Sequence, residues 1–190
     1  MSMLQTELEY EALRSTIRER GTLRMWALLV GLSVWAALAL ELVAGDVSGG
    51  ATLAPLLVLA ATFEISFFVH TGVERIGRYL EVFYEEATGS VGWETMARLY
   101  GRSFPGGLDP LFLTIFGTAA TINFFSAFAL TTRRPGWMVV SLAAHILFGS
   151  RLVSARKLAA GQRALDLERF RTLKDQRPTT NDQRLGDLSN

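Results

Sequence analysis

The chain has no cysteine, which removes disulfides, thiol nucleophiles, iron–sulfur clusters and thiolate zinc sites from consideration. Histidine is nearly absent as well, with only His70 and His145. Along their helices the two lie at depths roughly 9 Å of helical rise apart, which argues against bis-histidine haem ligation. Excess charge of one sign is missing too. Lys and Arg number 19 against 18 Asp and Glu, a formal net charge of +1, so long-range attraction to nucleic acid is not expected. No Gly-rich phosphate loop, Gly-x-Ser-x-Gly, His-Glu-x-x-His or Glu-x-x-His is present, and these are the patterns that announce common catalytic chemistries. The chain therefore reads as a protein with no enzymatic activity and no cofactor.

What it has in abundance is apolar sequence, 49% of its 190 residues, gathered into runs. Four of them meet the bilayer-spanning criterion of about 17–25 mostly apolar residues. They cover 23–44, 51–73, 110–131 and 136–153, the last shortened by Arg151. Lipid offers the backbone no hydrogen-bond partners, so runs of this length must be helical. The fold class expected is all-α: a polytopic integral membrane protein with four transmembrane helices and cytoplasmic helical extensions. Ala37-Leu38-Ala39 has the small-x-small look of a signal-cleavage site. The segment ahead of that run, with Glu7, Glu9, Glu11 and Glu19, makes a poor n-region, so the first run is read as a retained span.

Arginine placement sets the orientation. Arg14, Arg18 and Arg20 precede the first run and Arg24 stands at its start, Arg75, Arg78, Arg98 and Arg102 lie between the second and third, and Arg156, Lys157 and Arg163 follow the fourth. The connection 45–50 has no Lys or Arg, and the other has only Arg133 and Arg134. Both termini and the middle connection are thus expected in the cytoplasm of a cell-membrane protein. Residues 1–21 read as an amphipathic helix with a Thr6/Glu9 capping box and a stop at Gly21. Residues 74–109 read as a stalk followed by an interfacial helix around Trp93, Met96, Leu99 and Tyr100. A cytoplasmic helix is expected over 154–175 and a disordered tail over 176–190.

Two groups of polar residues stand out. His70, Glu74, Arg78, Glu81 and Glu85 fall within an arc of roughly 80° on a regular helix. The plain reading is a solvated face with i,i+4 pairs. The sharper one makes His70, Glu74 and their acidic neighbours ligands for a divalent cation, with the metal left unknown. The second group begins with Glu64, whose charge inside an apolar run costs about 2.5–3.5 kcal/mol unless it is paired or hydrated. Depth matching brings Asn123 and His145 near it, so the three are expected to form one intramembrane polar cluster. That cluster is either interhelical hydrogen-bonding or a proton- or cation-coupled site.

Small residues at Ala27, Gly31, Gly117, Ala120 and Thr121 allow close helix approach within the chain or between copies. The partners expected are the lipid bilayer and either further copies of the chain or a larger membrane complex. The function expected is a non-catalytic integral membrane subunit or scaffold that docks a partner through its cytoplasmic helices. The alternative is a small oligomeric channel or a proton/cation-coupled transporter using Glu64.

Overall fold

The computed structural model describes residues 3–44, 49–89, 91–103, 110–131 and 134–176, and every element among them is helical. In chain order these are α1 (Met3–Ala44), a 3-10 turn (Gly49–Leu53), α2 (Ala54–Leu80), a π-helical segment (Glu81–Glu85), α3 (Glu86–Thr88), α4 (Trp93–Ser103), α5 (Pro110–Thr131) and α6 (Pro135–Asp175). Four helices are long and apolar enough to cross a membrane, within Leu4–Ala44, Gly49–Thr88, Phe112–Thr131 and Pro135–Asp175. Each contains one of the four apolar runs. The tail expected over 176–190 falls outside the described residues from 177 onward.

Three of the long helices continue well beyond their apolar runs. α1 passes Gly21 without a break, and Thr6 lies inside it rather than capping a separate helix. A mid-helix glycine costs only about 0.5–1 kcal/mol relative to alanine, which the helical sequence on either side offsets. α2 and α6 both begin with proline in the first turn, where the missing N–H is not needed. The stalk formed by α2, the π segment and α3 stops at Gly89, whose φ of 66° is left-handed and suits a residue without a Cβ.

Side-chain contacts fix the helix directions. α1 runs antiparallel to α2: Gly31 faces Thr62, Arg24 meets His70, and Tyr10 meets Tyr84. A Cβ on Gly31 would stand 2.1 Å from Thr62 Oγ1, so the two helices approach there as closely as a glycine permits. α2 and α6 run parallel, because Glu64, Glu74 and Glu86 meet Arg151, Arg163 and Arg171 in the same order. α5 returns antiparallel to α6 through Asn123 and His145.

Phe63, 3% exposed, is the hub of the core. The rings of Phe67, Phe112, Phe116 and Phe148 surround it at centroid distances of 5.8, 5.8, 5.3 and 6.1 Å. Leu59, Leu152 and Ala155 complete this layer. Outside it, large apolar side chains such as Trp26, Leu29, Leu57, Phe68, Ile146 and Leu147 remain exposed. An apolar exterior this extensive is not what a water-facing surface carries.

Candidate functional site

At one end of the bundle the charged halves of α1, α2 and α6 close with α3 and α4 into a polar head. Its centre is Glu81, fully buried. Arg78 donates from Nη1 to Glu81 Oε2 at 2.6 Å, and Arg98 of α4 donates to the other oxygen. Next to this pair, Arg14 of α1 donates to Glu94 Oε1 at 2.9 Å, and Arg78 Nη2 lies 3.7 Å from Glu94 Oε2. Burial pushes the Glu94 carboxyl above its ordinary value, against the pull of Arg14 and Arg78.

The start of α4 is built unusually. Gly92 precedes it and has no side chain with which to cap the first turn. Glu85 supplies the cap from the stalk, accepting from the Glu94 and Thr95 amides at 2.8 Å each and from Thr95 Oγ1 at 2.7 Å. A Cβ on Gly92 would lie 2.3 Å from the Glu85 carboxyl carbon, so the cap needs a glycine there. Burial pushes Glu85 upward, but these hydrogen bonds outweigh it and hold the carboxyl below its ordinary value. Glu86 is also held low, chiefly by its hydrogen bond from Arg171. The π segment widens the ladder, with the Glu86 N–H bonding the Glu81 carbonyl. Lys174 of α6 donates to the Val82 carbonyl at 2.9 Å.

The five residues expected as one stripe are distributed over three neighbours. Arg24 of α1 donates to His70 Nδ1 at 3.2 Å; because arginine has only donors, that nitrogen accepts. Glu74 pairs with Arg163 of α6. Arg78 and Glu81 point into the head, and Glu85 caps α4. They are not a solvated face, because helices pack around the stalk on several sides. The π segment also adds a residue to the turn, so Glu85 is out of phase with a regular helix. Among the described residues, no three His, Asp or Glu side chains are grouped to hold a metal ion.

The three residues expected as an intramembrane cluster take part in two separate pairings. Asn123, 1% exposed, lies 3.1 Å from His145 Nε2. His145 Nδ1 sits 2.7 Å from the Ser141 carbonyl, so it carries the proton and Nε2 accepts from the Asn123 amide. Glu64 instead meets Arg151, which donates from Nε and Nη2 at 2.7 and 2.8 Å. The Arg151 guanidinium also stacks over the Phe63 and Phe67 rings at 5.8 and 5.1 Å. Arg151 lies about 240° around α6 from His145, so one faces α2 and the other α5. The sequence marks both Glu64 and Arg151 as costly inside an apolar run; what it does not show is that the two face each other.

A cavity of about 160 Å³ lies between α1, α2, α5 and α6, just where the apolar runs of α1, α2 and α6 meet their charged extensions. Phe63, Phe67 and Phe112 form part of its wall, and Arg24, His70 and Arg156 also line it. Compared with protein-family models, curated proteins and solved structures, the chain matches none of them.

Proposed function

We propose that the protein is a polytopic membrane protein with four transmembrane helices and both termini in the cytoplasm, acting as a non-catalytic subunit or scaffold. Its head docks a protein partner that presents an apolar face. The observation that carries this reading is the outer side of α4. Trp93, Met96 and Tyr100 are 72%, 53% and 65% exposed and share one face of the helix, while Glu94 anchors the other to α1 and Thr95 and Arg98 anchor it to the stalk. Large aromatic side chains held on a rigid element are the usual anchors of a protein interface, and this spacing suits insertion into an apolar groove.

A bilayer is a poorer occupant of that face. Trp93 sits level with Glu85, which stands roughly 22 Å of helical rise beyond His70 and the end of the apolar run. The arginine distribution supports the orientation, and the apolar exterior supports the spans.

The test is recovery of the full-length protein from native membranes in mild detergent. A defined partner should copurify, and a Trp93→Ala/Tyr100→Ala variant should bind it about 30-fold more weakly, as expected for loss of an interface hot spot. Removal of residues 156–190 should also release it. Recovery of the bare protein, or unchanged binding by the variant, contradicts the proposal.

A second reading, a proton- or cation-coupled carrier, has one observation in its favour: the Glu64 side chain is 49% exposed within an apolar run. It ranks second because Arg151 already neutralises the carboxylate and donates to both of its oxygens. In reconstituted vesicles this reading requires Glu64→Gln to abolish flux. The same exposed pair suits a larger assembly, in which a neighbour covers it.

A further inference from the structure

We propose that the cavity between the four long helices binds an anionic membrane lipid, with its phosphate on Arg24 and Arg156 and its apolar portion against Phe63, Phe67 and Phe112. The inference rests on the four-span reading and adds a ligand to it.

The first argument is one of level. Three of the helices change from apolar to charged sequence around this cavity, α1 at Arg24, α2 just past His70 and α6 just before Arg156, while the uncharged α5 contributes Phe112, Leu113 and Thr114 from its first turns. In a bilayer that level is the boundary between acyl chains and head groups. The aromatic wall extends from His70 back to Phe63, roughly 10 Å of helical rise toward the lipid interior.

The second argument is electrostatic. Elsewhere this molecule gives its interhelical arginines carboxylates: Arg14, Arg75, Arg78, Arg98, Arg151, Arg163 and Arg171 each form an ion pair. Arg24 and Arg156 form none among the described residues. Among the described residues Arg24 bonds the His70 ring alone, and its Nε is buried without a partner. Arg20 packs against Gly72, one turn further along α1, and adds a third cation nearby. Among the described residues no carboxylate lines the cavity. The site has a concentration of positive charge and a buried guanidinium N–H left unsatisfied, a combination that an acceptor anion would satisfy.

The third argument selects a lipid over a free phosphate. Phenylalanine rings and the small side chains of Ala155 and Ala159 make most of the remaining wall. Such a surface gives nothing to a hydrated inorganic ion, whose burial against it is unfavourable. An acyl or glycerol segment fits it directly.

The experiment uses the full-length protein in nanodiscs of equal parts phosphatidylcholine and phosphatidylglycerol, released into mild detergent and examined by native mass spectrometry. The expected result is selective retention of phosphatidylglycerol. Arg156→Gln, at an exposed position that leaves the packing intact, and Arg24→Gln should each lower the retained ratio about fivefold. Arg24→Lys combined with Arg156→Lys should keep the selectivity because the charge remains. A retained ratio equal to the bulk composition, or one unchanged in both Gln variants, overturns the site. Displacement of the lipid by inorganic phosphate overturns the assignment to a lipid. Failure of the protein to insert into nanodiscs at all is a separate outcome, and it overturns the four-span reading along with the site.

Discussion

Glu81 is the residue on which the head is centred. Its carboxylate is wholly inaccessible to water and is neutralised by Arg78 and Arg98, from two different helices. Glu81→Ala would leave Arg98 without its carboxylate and Arg78 with only Glu94, 3.7 Å away, and removing one partner of a buried ion pair costs about 3–5 kcal/mol. Loss of α4 protection in hydrogen exchange, at temperatures where the spans remain folded, is the expected signature. The Asn123–His145 bond is a smaller matter. Interhelical hydrogen bonds within membranes average about 0.6 kcal/mol, so Asn123→Ala should lower the unfolding midpoint in detergent only slightly; a large drop would mean that the pair does more than join α5 to α6. Sequence alone picks out Glu64 by the cost of a carboxylate inside an apolar run, and Asn123 and His145 by their matching depth. It does not say that Glu64 turns to Arg151, because partner choice depends on which side of α6 faces α2.

At the scale of elements, α4 depends on a cap borrowed from another part of the chain. Gly92→Ala would put a methyl group into the Glu85 carboxyl, and losing the cap should cost about 0.5–2 kcal/mol, read as fraying of α4. The same carboxylates give the head a two-sided response to pH. Glu85 and Glu86 are held below the ordinary 4.5. Their contribution is therefore complete above that value and is lost as pH falls through their folded-state values. Glu94 is pushed above 4.5, so the cost of burying its charge is relieved as pH falls through its raised value toward 4.5. Protection of α4 amides, corrected for intrinsic exchange, should accordingly rise on mild acidification and fall below pH 4.5. A monotonic decline from neutral pH would contradict this assignment. α1 and α2 show a different element-level constraint at Gly31. Gly31→Val should cost about 1–3 kcal/mol by overpacking against Thr62, measurable as a lower thermal midpoint. Gly31 was legible as a small residue permitting close approach. The π segment was not legible, because nothing in Glu81–Glu85 departs from good helical sequence.

For the molecule as a whole, the four apolar runs carried most of the architecture. Run length predicts helices, and the order of the runs requires α2 and α6 to point the same way. The head could not be read in the same manner. Its helices are charged on several sides, and a charge pattern does not distinguish water from a facing guanidinium. Gly21 looked like a boundary for the same reason: its local cost is visible, whereas the packing of α1 along the stalk that outweighs it is not.

The parallel run of α2 and α6 has a mechanical consequence. Two rods pinned together at Glu64, Glu74 and Glu86, over roughly 33 Å of rise, resist bending far better than either rod alone. The strut they form carries α4 at one end and, further along, Phe63, Phe67, Ala155 and Ala159. A pull on α4 is therefore delivered as leverage on those four side chains rather than absorbed at a joint between head and bundle. Probe pairs placed on α3 and on the middle of α2 should hold a constant separation while the head is loaded.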